Sequence, residues 1–149
     1  MRLTLAHIGP RYPAMDDCEK LTQHYVQRMT PYSKCDAAAF RTEGALFESL
    51  ERQAGRSAAK LVLLDSRGRQ MSSEAFATWL GARRDEGTQR TVFAIGPASG
   101  WSEEARGKAH ILLSLGTLTL PHALARVVLA EQLYRACTIL AGHPYHTGH

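Results

Sequence analysis

Residues 91–120 read TVFAIGPASGWSEEARGKAHILLSLGTLTL. Thr91–Ile95 is apolar throughout, which suits a strand covered on both faces. Gly96-Pro97-Ala98-Ser99-Gly100 turns the chain. Ser102-Glu103-Glu104 opens a short helix, its two acids placed at the positive end of the helix dipole. His110–Ser114 returns as a second strand. Leu115–Leu120 then leads to Pro121, which suits the first position of a further helix. Strand, helix and strand in so short a span predict parallel strands joined by a crossover.

The alternation extends in both directions. Upstream, Lys60–Leu64 is another apolar strand, closed by Asp65-Ser66-Arg67-Gly68. Ser72-Ser73-Glu74 opens a helix that turns Phe76, Trp79 and Leu80 inward. Arg2–Ile8 is a first strand, stopped by Gly9-Pro10. Met15–Met29 carries a helical period, with Cys18, Leu21, Tyr25 and Met29 on one face, and Pro31 ends it. Cys35–Phe40 is a short strand. Leu46–Ala54 is a helix with Leu46, Phe47 and Leu50 as its apolar face and Gly55 as its stop. Downstream, Ala123–Leu140 runs unbroken to Gly142, and a polar tail follows. The expected fold is α/β, a mostly parallel sheet flanked by helices, in a single domain over residues 1–149.

A chain of 149 residues and 16.4 kDa is one domain's worth. Hydrophobic residues make up 44% and charged residues 21%, which excludes collagen-like, disordered and disulfide-scaffold classes. No apolar run approaches the roughly 20 residues of a membrane span. The N-terminus lacks the pattern of a signal peptide, so a cytoplasmic protein is expected. Cys18, Cys35 and Cys137 form no CxxC pair and are expected as ordinary reduced thiols. The formal charge is +4, carried mostly by arginine, whose planar fork suits phosphate recognition.

The last helix is unusual. Its charges are Arg126, Glu131 and Arg135, and apolar residues fill most of its circumference. Such a helix must be covered on two sides. The sheet supplies one cover, and a twofold copy of the same helix is expected to supply the other, making a homodimer.

Open parallel sheets bind ligands beyond the carboxyl ends of their strands. Three such ends carry loops here: Leu64–Gly68, Ile95–Gly100 and Leu115–Leu120. The first strand is not followed by GxGxxG, and no loop ends in Lys-Ser/Thr, so dinucleotide and P-loop phosphate sites are not expected. Leu115, Leu118 and Leu120 alternate with Gly116, Thr117 and Thr119. Free backbone groups there suit the edge of a flat heterocycle, and leucines its faces. The tail His143-Pro144-Tyr145-His146-Thr147-Gly148-His149 has ligand-like histidine spacing but no nearby cysteine or HExxH, so no metal is expected. Imidazole and phenol groups there suit a nucleobase or phosphate contact. His122 and Arg126, one turn apart, are read as interface residues or an anion site at the helix start. His7, His24 and His110 are read as structural.

Three stretches are more specific. Leu118-Thr119-Leu120-Pro121-His122, Ala130-Glu131-Gln132-Leu133-Tyr134-Arg135-Ala136 and His143-Pro144-Tyr145-His146 together resemble the ribosomal RNA large-subunit methyltransferase H family of the SPOUT superfamily. The resemblance runs end to end. It implies a trefoil knot in the C-terminal part, with the chain near Leu115–Leu120 threaded under a neighbouring loop. It implies S-adenosyl-L-methionine as cofactor, held by Leu64, Gly96, Leu115, Gly116, Thr117, Leu118, Thr119 and Leu120. The implied reaction is N3 methylation of pseudouridine 1915 in 23S rRNA of the ribosome. Arg135, His143, Tyr145 and His146 are the candidate catalytic residues, as oxyanion stabiliser, possible bases and stacking ring. Each site would draw on both protomers. Arg2, Arg11 and Arg41 are candidate phosphate contacts. Two departures stand out. The family's glycine loop usually reads Gly-Gly-Pro-acid-Gly, whereas Pro97 and Ser99 stand here. Thr147 replaces a basic residue after His-Pro-Tyr-His. They motivate an alternative, a noncatalytic RNA-binding module on the same fold. A flavodoxin-like nucleotide enzyme is a more distant alternative.

Overall fold

The computed structural model describes residues 1–55 and 57–147. Five parallel strands form one sheet in the order β2-β1-β4-β3-β5. They are β1 (Arg2–Ile8), β2 (Cys35–Phe40), β3 (Lys60–Gln70), β4 (Arg90–Ile95) and β5 (Ile111–Ser114). The helices are α1 (Asp17–Arg28), α2 (Glu43–Arg52), α3 (Ser73–Asp85), α4 (Glu103–Lys108) and α5 (His122–Ala141).

Side-chain alternation along the strands divides the core in two. Leu3, Leu5, Val62, Phe93, Ile95 and Leu113 face α1, α3 and α5. Ala6, Ile8, Leu61, Leu63, Val92 and Ala94 face α2 and α4. Strands buried on both faces explain the near-continuous apolar runs. Side-chain oxygens of Asp16, Thr42, Ser72 and Ser102 each accept an N–H in the first turn of α1 to α4. Such caps contribute about 1 kcal/mol each. α5 has no side-chain cap: Pro121 occupies the N-cap position with extended backbone, one residue before the helix rather than inside it.

Several sequence expectations are corrected. Asp65–Gly68 does not close β3, which continues to Gln70. Leu113 pairs with Leu64 and again with Arg69, and Ser114 pairs with Gln70. Polar composition masked this second pairing because these residues lie beyond the reach of β4. The buried face of α1 is Thr22 and Val26 with Met29 after it, while Leu21 is 48% exposed. Thr22 tolerates burial because its hydroxyl donates to the Cys18 carbonyl at 2.8 Å. α2 begins three residues before Leu46, where Thr42 caps it.

The dimer expectation loses part of its ground. α1 and α3 flank α5 within the chain, and Leu129, Ala130, Leu133 and Ala136 are buried there. Little of α5 is left for a second copy, chiefly Leu124, 41% exposed, with the partly exposed Val128, Glu131 and Arg135 following at helical spacing. Burial pushes the Cys35 and Cys137 thiols up to about 12 and about 11, so both stay protonated.

Candidate functional site

The carboxyl ends of β3, β4 and β5 converge on a cleft of about 630 Å³. Leu64, Gly96 and all of Leu115–Leu120 line it, together with Asp65, Ser66, His122 and Ala125. The three strand-end loops singled out in the sequence therefore form one concavity. Its size lies within the range of small-molecule sites.

The walls are fixed by interactions within the chain. Gly116 takes φ +130°, a conformation that other residues rarely adopt. The buried Ser114 hydroxyl donates to the Gly116 carbonyl at 3.0 Å, and the Gly116 N–H lies 3.2 Å from the same oxygen. Leu118 projects from the rim, 84% exposed. Trp101, a residue the sequence reading did not single out, ties two walls together. Its indole N–H donates to the Leu64 carbonyl at 2.9 Å. A Cβ on Gly96 would lie 2.8 Å from its ring. A lone aromatic directly after a glycine turn was the available signal. Pro97 accepts the Gly100 N–H at 2.8 Å, so the altered loop keeps a tight turn despite losing a backbone donor.

Asp65 anchors the first loop. It accepts Arg106 Nε at 2.7 Å and the Arg67 N–H at 2.8 Å. Burial alone would raise its pKa, but these donors and the two guanidinium charges outweigh that and hold it below the usual carboxylate value.

A partly buried polar cluster adjoins the cleft. Tyr12 and His122 share a hydrogen bond, and Arg126 pairs with Glu19. His7 Nε2 bonds the Pro10 carbonyl at 2.8 Å, and its ring lies 5.4 Å from that of His122. His122 and Arg126 thus find hydrogen-bond partners within the chain. Burial, aided by the Arg126 charge, lowers the pKa of His122. Burial likewise outweighs the Pro10 bond and lowers that of His7.

Arg135, Tyr145 and His146 come together elsewhere, around Glu131. Arg135 donates to Glu131 Oε1 through Nε at 3.0 Å and Nη2 at 2.7 Å. The Tyr145 hydroxyl donates to the same oxygen at 3.0 Å. Burial and this bond push the phenol up to about 12. His146 Nδ1 lies 2.9 Å from Arg135 Nη1, and its Nε2 lies 2.7 Å from Glu74 Oε1. A guanidinium only donates and a carboxylate only accepts, so neutral His146 carries its proton on Nε2. The base candidate therefore has its lone pair occupied. His143 stays outside this cluster, exposed, its Nδ1 accepting the Tyr145 N–H at 3.2 Å. Glu131 and Glu74, which organise the tail, were not anticipated. The tail's last two residues lie outside the described residues.

Thirteen residues at 1.5 Å rise put Arg135 about 20 Å along α5 from His122. The tail cluster thus sits midway and farther along the helix whose start lines the cleft. Arg2 pairs with Asp36 at 3.5 Å and sits at the start of β1, away from the cleft. Arg11 and Arg41 follow the carboxyl ends of β1 and β2, on the cleft side, and are exposed. Among the described residues, no His, Cys, Asp or Glu cluster could hold a metal, and no helix is long and apolar enough to cross a membrane.

A parallel α/β sheet with a cleft built from the loops after β3, β4 and β5 matches a known family. The family model described as "Predicted SPOUT methyltransferase" matches residues 1–146, and the chain belongs to the SPOUT methyltransferase family. Relatives extend over the full length. A protein of Koribacter versatilis named ribosomal RNA large subunit methyltransferase H is 50% identical, covering 100% of both chains. Proteins of the same name from Xanthobacter autotrophicus and Deinococcus deserti are each 44% identical, covering 98% of this chain and 99% of theirs. Among solved structures, the SpoU methyltransferase AviRb from Streptomyces viridochromogenes, in complex with the cofactor AdoMet, superposes with a TM-score of 0.54 at 15% identity. That match covers 95% of this chain and 59% of the other, and it shows a shared fold.

Proposed function

We propose that this chain is an S-adenosyl-L-methionine-dependent rRNA methyltransferase that acts in the cytoplasm on N3 of pseudouridine 1915 of 23S rRNA, as a homodimer. One observation carries the reading: every residue expected to hold the cofactor lines one cleft, in a chain 50% identical throughout to a protein named ribosomal RNA large subunit methyltransferase H.

The cleft fits an adenosine-bearing ligand. Leu64, Leu115 and Leu120 offer apolar cover, and the backbone of Gly96 and of residues 115–120 offers donors and acceptors for a purine edge. At the back, His122 Nε2 is buried and lacks a partner. The knot expected for this family would be tied by residues 64–70, which engage Leu113 twice and bring Gly68 against the Leu112 backbone.

Bound S-adenosylmethionine supplies an electrophilic methyl group. The protein's task is to hold the nucleophile in line and exclude water. N3 of the base carries a proton, and removing one held two or three units above ambient pH costs about 3–4 kcal/mol. Arg135 offsets part of this by placing positive charge beside the developing oxyanion. Tyr145, protonated, stacks on or donates to the base. His146 accepts the proton once Arg135 turns from its Nδ1 to the substrate. Arg135 lies about 15 Å along α5 from Ala125, which lines the cleft of its own chain, so the partner's Arg135 and tail are the ones that complete each site. Leu124, Val128 and the rim residue Leu118 provide apolar surface for that contact.

Calorimetric titration of S-adenosylmethionine tests the first half of the reading. One site per chain is the expected result. Absence of heat at every temperature tried would favour an RNA-binding module that has lost its cofactor.

A further inference from the structure

After Glu19 the chain carries no Asp or Glu until Asp36, while Lys20, His24, Arg28 and Lys34 fall in that interval. Lys20, His24 and Arg28 stand at i, i+4 and i+8 on α1, hence on one face. All three are exposed, His24 included, although the sequence suggested a structural place for it. Among the described residues none of the three forms an ion pair, whereas Arg106, Arg126 and Arg135 are each matched by a carboxylate. Glu19, next to Lys20 in sequence, is occupied by Arg126 and by Gln23 Nε2 at 2.9 Å. Asp17 stands in the first turn, where the helix dipole favours it.

Arg28 is the best-defined member. Its guanidinium carbon lies 4.4 Å from the centre of the Tyr134 ring and 5.4 Å from that of Tyr145. Its Nη2 donates to the Tyr134 hydroxyl at 2.9 Å. These contacts fix the side chain without neutralising it. Arg135 meets the same Tyr145 ring at 4.9 Å, but Glu131 balances its charge. Among the described residues beside the tail, Arg28 is thus the cation left without a counter-charge. Rings interleave with the basic residues: His24 lies edge-on to Tyr25 at 5.3 Å, and Tyr25 lies 6.1 Å from Tyr134. Glu19 reaches Arg126 and Arg28 reaches Tyr134, so α1 runs from the cleft end of α5 toward the tail.

An unpaired basic face with interleaved rings suits a polyanion whose bases can stack. We propose that the Lys20–His24–Arg28 face of α1 is a docking surface for the phosphate backbone of the substrate RNA, with Arg28 as its anchor beside the tail. The proposal rests on RNA being the substrate. Such phosphate contacts set register and orientation, and leave recognition of the target base to the tail.

The test is equilibrium binding to ribosomes from cells that lack this gene, measured over a series of salt concentrations. Each variant is first checked for native circular dichroism and melting. Arg28→Gln should weaken binding about tenfold and reduce the slope of log affinity against log salt by about one. Arg28→Lys should recover most of that loss. Lys20→Gln, far from the tail, should reduce the slope by about one as well. Lys108→Gln, on α4 across the sheet, controls for net charge and should leave the slope unchanged. In every variant S-adenosylmethionine should bind with wild-type affinity, and methylation of the ribosomes should change in KM and not in kcat. The photoreactive residue p-benzoylphenylalanine in place of the exposed Gln27 should crosslink to 23S rRNA. An unchanged slope in Arg28→Gln or Lys20→Gln, an equal fall in Lys108→Gln, or a crosslink that misses 23S rRNA would overturn the docking surface and leave the methyltransferase reading standing. A fall in kcat at unchanged KM and slope would do the same, because Arg28 would then only hold the tail. A protein with the α1-dependent slope that transfers no methyl would keep the docking surface and refute the methyltransferase reading. No binding of ribosomes by the wild-type protein would overturn both.

Discussion

Replacing Gly68 by alanine should damage the protein far more than so small a change suggests. Gly68 does not need an unusual backbone angle; it needs space. A Cβ there would lie 2.6 Å from the carbonyl carbon and oxygen of Leu112 and 2.7 Å from the Leu113 nitrogen. Ordinary contact begins near 3.4 Å, so the second half of β3 must retreat from β5 by 0.8 Å, the difference between 3.4 and 2.6 Å. Backbone cannot yield as a flexible side chain can. A retreat of that size takes hydrogen bonds of about 2.9 Å beyond the useful limit. The Arg69–Leu113 and Gln70–Ser114 pairings would be lost. Two such bonds at about 1 kcal/mol each, with about 1–3 kcal/mol of overpacking, give roughly 3–5 kcal/mol. For a domain of this size that lowers Tm by about 10 °C. Gly107→Ala is the control. It lies within α4 with nothing within 4 Å of its added Cβ. It should gain about 0.5–1 kcal/mol from helix propensity. Thermal melts at one fixed protein concentration measure both. If Gly68→Ala melted within 2 °C of wild type, the close approach of β3 to β5 would be wrong.

Further outcomes follow from the same contacts. Asp65→Asn should cost about 1–2 kcal/mol at pH 7, because Arg106 is left with Glu103 as its one carboxylate partner. Asp65 is held below its unfolded pKa, so its contribution is full above about pH 4 and fades as pH falls through the folded value. The two stability curves should therefore converge in acid, and parallel curves down to pH 2 would contradict the assignment. His7 and His122 are held below their unfolded value of 6.5, so the unfolded chain binds more protons there. Stability should accordingly decline as pH drops from 7 to 5, a trend that urea titrations can read and that His122→Gln should flatten. Arg135→Ala and His146→Ala should each lower turnover on ribosomes about a hundredfold with nearly unchanged cofactor affinity. Loss of cofactor binding in either would contradict these roles and make the tail part of the cofactor site. Trp101→Phe removes the bond to the Leu64 carbonyl and should weaken cofactor binding several-fold, for about 1 kcal/mol of stability.

The apolar strands and their stop residues made the sheet legible before any coordinates. Lys60–Leu64, Thr91–Ile95 and Cys35–Phe40 all lie in strands. The cleft was legible too, because loops at parallel strand ends have to meet on one edge. The second pairing of β3 was not, since Asp65–Gln70 is polar and its ladder depends on a partner 40-odd residues away. The buried face of α1 escaped because Thr22 and Leu21 exchange the roles their hydropathy suggests. The Glu131-centred arrangement of the tail and the Tyr12–His122 bond join residues far apart in sequence, 14 and 110 positions respectively. Such pairings depend on how α1, α3 and α5 pack, and no local pattern announces them. The apolar character of α5 was read correctly, but its cover comes mainly from α1 and α3.

The most direct test of the account uses ribosomes from cells that lack this gene. Purified protein and S-adenosylmethionine are added, and the nucleosides of 23S rRNA are resolved by mass spectrometry. The account predicts one new species, pseudouridine carrying a methyl on N3, that disappears when the cleft is altered by Gly96→Trp. An unchanged nucleoside profile, or a methyl on any other base or ribose, would contradict it.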